Sequence, residues 1–262
     1  MLTSVGPVTA SASREGVRLI AKSVRRCRHE RPQPSPRVAA LLAKTRRNRG
    51  RLIFALDATG SREPTWDMAS QLQAAMFEEA ARIGGLDVQL VYYRGNDEVR
   101  HTSWFSDAHE LVGRMSAIRC MAGATKIARI LRHIRTENER EKISAAIFIG
   151  DAVEEPPQEL YDAASGLGVP VFLFQEGQSE DLSACFTPRT AYTFHTVQMQ
   201  SVEQVFRELA RLTNGAYVRF DAGAAAKLGE LLQAVAAFAV GGIVALANQH
   251  TDSAHKLLGQ MK

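Results

Sequence analysis

Two short apolar runs, each closed by an acid, constrain this chain more than any other feature. They are Ile53-Phe54-Ala55-Leu56-Asp57 and Ile147-Phe148-Ile149-Gly150-Asp151. An apolar run this short, without polar alternation, suits a strand buried on both faces, and such strands belong to parallel sheets covered by helices on both sides. The rest of the chain fits that reading. Strands are expected over residues 51–56, 88–93, 99–105, 144–149, 169–174 and 216–220. Helices are expected over 64–83, 106–118 (with Ser106 as N-cap), 125–139, 157–167, 201–213 and from near Gly223. Gly95-Asn96-Asp97 predicts a hairpin turn between the second and third strands. The fold class is therefore α/β: a Rossmann-like open, mostly parallel sheet with helices on both faces.

Charge divides the chain. Residues 1–50 hold 12 Lys/Arg against 2 Asp/Glu, and the remainder holds 20 against 26. Arg31-Pro32-Gln33-Pro34-Ser35-Pro36 breaks any helix within that basic stretch. The expected organisation is a basic, Pro-containing arm over 1–50, the α/β domain over 51–247 and a C-terminal tail over 248–262. The three cysteines, Cys27, Cys120 and Cys185, form no CxxC pair and are odd in number, which argues for a reducing compartment. With no apolar leader after Met1, a cytoplasmic, bacterial protein is expected. Residues 234–247 carry no polar side chain, but 14 residues fall short of the roughly 20 of a membrane span. They read as a helix on the sheet whose apolar end reaches a partner or the arm, so no transmembrane segment is expected.

Ligands of an open parallel sheet sit at the carboxyl ends of its strands. Asp57-Ala58-Thr59-Gly60-Ser61 puts a carboxylate and two hydroxyls on one such loop, Thr125 offers a third hydroxyl before a helix, and Asp151 a second acid. Each residue alone could be a cap of the next loop or helix. Together they form a set of hard oxygen donors with two formal charges, which suits a six-coordinate Mg2+ or Mn2+ ion.

Asp57-x-Thr59-x-Ser61, Thr125 and Gly150-Asp151, on this strand/helix alternation, resemble the metal-ion-dependent adhesion site of von Willebrand factor type A domains. The likeness spans about residues 50–240 and includes Leu212-Thr213-Asn214-Gly215-Ala216-Tyr217, similar to the segment before that family's last strand. The family motif has Ser where Thr59 stands, a change that keeps the hydroxyl. The resemblance implies that Asp57 holds the metal directly or through water, that Thr59 and Ser61 are hydroxyl ligands, that Thr125 ligates in one conformation and that Asp151 acts through water. It also implies non-catalytic protein binding, in which an acidic side chain of a protein partner completes the coordination. Arg62, Trp66 and Glu154 would then lie on the partner-facing rim.

Two other functions compete. A Mg-dependent hydrolase of the haloacid dehalogenase type is disfavoured, because no second acid stands two residues after Asp57 to move a proton. No GxxxxGK[ST], GxGxxG or GxSxG motif occurs. The basic arm could instead bind nucleic acid or an acidic partner in a salt-sensitive way. The seven histidines show no HxH or HxxxH pairing, which excludes a simple zinc motif.

Overall fold

The computed structural model describes residues 49–60, 69, 72, 75–80, 82–177, 200–221 and 224–261. Residues 1–48 of the basic arm (Cys27 among them), Cys185, Ser61, Arg62 and Trp66 lie outside the described residues, as do most of the first part of the helix expected over 64–83 and most of the segment 178–200.

Six strands form one sheet: β1 (Gly50–Asp57), β2 (Leu86–Arg94), β3 (Glu98–His101), β4 (Ala145–Gly150), β5 (Val171–Glu176) and β6 (Ala216–Phe220). Their order is β3-β2-β1-β4-β5-β6, parallel except for β3. Six named helices surround the sheet: α1 (Ala108–Ser116), α2 (Ile127–Arg140), α3 (Pro157–Ala164), α4 (Val202–Leu212), α5 (Ala225–Ala247) and α6 (Asp252–Leu258). Residues 75–80 and 82–83 are also helical.

The period of two along β1 divides its side chains between two cores. Leu52, Phe54 and Leu56 pack with Met76, Leu111, Leu231 and Leu257 on one face, whereas Ile53 and Ala55 pack with Ile130, Leu160 and Phe206 on the other. All six residues of β4 are buried. Each large side chain buried this way contributes about 1.5–3 kcal/mol, so the two apolar runs anchor both layers of helices.

Three elements differ from expectation. The third strand ends at His101, and Phe105 returns as a single bridge to Val88. The pairs Val91–His101 and Val88–Phe105 are out of register by one residue, so a bulge interrupts the strand. At α1 the N-cap is Asp107, which accepts the His109 N–H at 2.8 Å, while Ser106 donates its hydroxyl to Asp87. Within residues 248–261, expected as a tail, a helix packs on the domain: Thr251 caps α6, whose Ala254 and Leu257 are fully buried. Beyond α6, the Gln260 side-chain amide accepts the Tyr217 N–H at 3.0 Å and donates to the Tyr217 carbonyl at 2.9 Å. That amide acts as a one-residue strand on the free edge of β6.

The apolar run over 234–247 packs as expected, with Phe238 edge-on to Phe172 of β5. Among the described residues α5 is the one helix long and apolar enough to cross a membrane, and half of its apolar window is buried in the fold. Gly242 (φ 65°, ψ −158°) breaks it, leaving Ile243 and Val244 exposed beyond the kink.

Candidate metal centre

The chain leaves β1 for β2 on one side and reaches β4 and β5 on the other, so the β1/β4 boundary is the switch point at which an open sheet forms a crevice. Asp57 is the last residue of β1. The register Leu56–Ile149 sets it beside Gly150, and Asp151 follows. A side chain at 150 would bring its Cβ to 3.8 Å from the Asp57 Cβ.

Asp57 is 2 % exposed. Its Oδ1 accepts the Thr59 N–H at 2.8 Å. Its Oδ2 makes no well-formed hydrogen bond, and neither does the fully buried Tyr93 hydroxyl, although the two groups are near enough to act on each other. Burial pushes the Asp57 carboxyl above its ordinary range, and the Asp151 charge pushes the same way; the Thr59 N–H and hydroxyl and the Tyr93 hydroxyl pull back without reversing it. Tyr93 is itself driven well above the usual phenol range, by burial first and then by the charges of Asp57, Glu155 and Asp151. One hydroxyl thus lies near three acids, Asp57 at the end of β1 and Asp151 and Glu155 on the β4–α3 loop.

The loop bearing Thr125 is tied to β1. Met121 donates its N–H to the Ala58 carbonyl at 3.0 Å, and the Gly95 N–H donates to the Met121 carbonyl at 3.2 Å. Gly123 passes so close that a Cβ there would lie 1.8 Å from the Gly95 oxygen. Thr125 is buried, and its hydroxyl donates to Glu155 Oε2 at 3.1 Å while accepting the Glu154 N–H at 2.9 Å. A hydroxyl has two lone pairs, so one remains for a cation.

Sequence reasoning missed the role of Glu155. Helix α2 has Lys126 at its N-cap, no side-chain cap and no acid in its first turn. The Glu155 carboxylate supplies the missing acceptor from the β4–α3 loop, taking the Ile127 and Ala128 N–H groups at 2.8 Å each. Burial raises the Glu155 carboxyl above its ordinary range, against these N–H groups and the Thr125 hydroxyl. The signal in the sequence was the uncapped start of α2. Glu154, expected on the rim, is exposed, and its Oε2 accepts the Thr125 N–H at 3.0 Å.

A cation fits this arrangement. Asp57 Oδ2 is a buried carboxylate oxygen without a well-formed hydrogen bond, and such a group is stabilised by a positive charge. Among the described residues no three His, Cys, Asp or Glu side chains are grouped to hold a metal. The donor set on offer is instead hydroxyl-rich: Asp57, Thr59, Thr125 and Asp151. All are hard oxygens, as magnesium and manganese prefer. Ser61, the fifth expected ligand, lies outside the described residues.

No protein-family model and no curated protein matches the sequence. Solved structures do match the fold. A von Willebrand factor type A protein from Catenulispora acidiphila aligns with a TM-score of 0.54 and 14 % identity, over 74 % of this chain and 43 % of that one. The pilus adhesin SpaC from Lactobacillus rhamnosus GG, in its open conformation, aligns at 0.53 and 13 %, over 73 % and 30 %. Proximal thread matrix protein 1 from the mussel byssus, with a zinc-occupied MIDAS motif, aligns at 0.50 and 13 %, over 72 % and 46 %. This chain therefore spans less than half the length of each. At these identities the likeness shows the fold, which is that of von Willebrand factor type A domains.

Proposed function

We propose that this chain is a non-catalytic, metal-dependent protein-binding module. Asp57, Thr59, Thr125 and Asp151, with Ser61, would hold a divalent cation, Mg2+ or Mn2+, and an acidic side chain of a protein partner would complete the site. The observation that carries this reading is the buried Oδ2 of Asp57, without a well-formed hydrogen bond, at the switch point of the sheet. When bound, the cation supplies an electrophilic centre for a carboxylate from outside, because two acids only balance its charge and the hydroxyls add none. The chain's own residues do the positioning. Thr59 fixes one oxygen of Asp57 through its N–H, which leaves the other directed elsewhere. Glu155 and Glu154 hold the Thr125 loop against the β4–α3 loop. Hydrolysis of the haloacid dehalogenase type is disfavoured by Thr59, which stands where that chemistry needs an acid.

Thermal unfolding with magnesium, manganese or chelator tests the reading. Wild type is stabilised by about 2.7 kcal/mol at one hundred times the dissociation constant, and Asp57→Ala is not. A wild type that millimolar metal leaves unmoved would sink the proposal.

A further inference from the structure

A second surface adjoins the metal crevice and shares its backbone. From Asp57 the path runs through the Ala58 carbonyl to the Met121 N–H, and from the Met121 carbonyl to the Gly95 N–H in the β2–β3 turn. Against that turn lies an open groove of about 430 Å³, lined by Gly95, Asn96, Glu98, Arg100, Met121 and Arg129 among others.

Its charges are paired, with cations in excess. Arg100 and Arg129 line it beside two carboxylates, Asp97 and Glu98, and Arg94 and Lys126 reach those same carboxylates from outside the lining. Arg94 and Arg100 share Glu98 at 3.1 and 3.2 Å. Arg129 and Lys126 share Asp97 at 2.6 and 3.8 Å. Arg100 and Arg129 are well exposed in their pairs, and exposed ion pairs hold their partners weakly, so these two cations can exchange them for a ligand's acids. At the end nearer the crevice sits Met121, a large apolar side chain left 49 % exposed.

Resting on the metal-site reading above, we infer that this groove is a second subsite for the same partner, and that the partner offers an acidic, extended segment. One carboxylate would reach the crevice, an apolar residue would cover Met121, and further acids would enter the groove between Arg100 and Arg129. The short path from Ala58 to Gly95 places both subsites within reach of a few consecutive residues. Nucleic acid fits less well, since no aromatic residue lines the groove for base stacking.

The test uses the full chain and a fluorescein-labelled hexaglutamate peptide, read by anisotropy with magnesium or chelator. The double variant Arg100→Ala/Arg129→Ala should bind about tenfold more weakly, with a steeper loss in wild type as salt rises. Its magnesium-dependent thermal shift should equal that of wild type, and Arg211→Ala, on α4, should bind the peptide unchanged. Equal affinity of the double variant and wild type would overturn the proposal. So would failure of wild type to bind at millimolar peptide, or tighter binding of a single-stranded oligonucleotide that the double variant also loses. If the groove variants weaken binding equally with and without chelator and no metal shift exists, the groove stands and the metal reading fails.

Discussion

Glu155 receives the hydroxyl of Thr125 at 3.1 Å and, with the same carboxylate, caps the helix that begins two residues later. One side chain thus fixes both the proposed ligand and the helix behind it. Hydrogen bonds to a charged group are worth about 1.5–3 kcal/mol. Glu155→Ala should therefore destabilise the fold by about 2–3 kcal/mol in denaturant unfolding and weaken metal affinity. Glu155→Gln keeps one acceptor oxygen and should fall between the two. A Glu155→Ala protein as stable as wild type would contradict the capping role.

Asp57 sets a pH and metal dependence of unusual sign. Burial, with the charge of Asp151, raises its folded-state pKa above the unfolded value. Its stabilising contribution is therefore present below the unfolded value and lost as pH rises through the folded one. Without a cation the ionised Asp57 costs stability at neutral pH. In chelator at pH 7, Asp57→Asn should melt above wild type, and saturating magnesium should reverse the order. Melting curves in the two buffers check this, and an unchanged order would count against the site.

His133 gives the opposite dependence. It stacks on His101 at 4.5 Å, and its Nε2 meets Gln89 Oε1 at 2.8 Å. The Gln89 amide donates to the Thr102 carbonyl at 3.1 Å, so its oxygen faces the imidazole, which donates from Nε2. Burial, then the neighbouring His101 and Arg140, lower the His133 pKa to about 4, against the pull of Glu137. Its contribution is full above pH 6.5 and is lost as pH falls through 4. We expect a loss of about 1–2 kcal/mol between those limits, discounted for the ring's partial exposure. His133→Gln should remove that part of the acid sensitivity in urea titrations at stepped pH, and an identical profile would contradict it.

Gly123 is a steric prediction. A methyl group there would meet the Gly95 backbone oxygen at 1.8 Å, and that backbone cannot rotate away as a side chain could. Gly123→Ala should cost about 2–3 kcal/mol, the usual scale of overpacking, and displace the Thr125 loop. Reduced metal affinity in calorimetry, beyond what the loss of stability explains, is the expected signature.

The strand-end acids and the sheet were legible because parallel strands buried on both faces announce themselves as unbroken apolar runs, and Asp57 and Asp151 stand where those runs stop. Thr125 was legible as a hydroxyl before a helix. What surrounds them was not. Glu155 caps α2 from a loop 27 and 28 residues away in sequence, so its only local trace is the absence of a cap at Lys126. Ser106 and Asp107 can each cap a helix, and the choice fell to Asp107 because Asp87, across the fold, takes the Ser106 hydroxyl. Helix α6 is too short for its periodicity to show, and it is ordered by burial of Ala254 and Leu257.

The most direct measurement is a crystal grown with manganese, with the anomalous scattering of the metal recorded. The account predicts a peak at bonding distance from Asp57 Oδ2, with hydroxyl oxygens of Thr59 or Thr125 around it. A map without a peak in the crevice, or with one only elsewhere on the molecule, would contradict it.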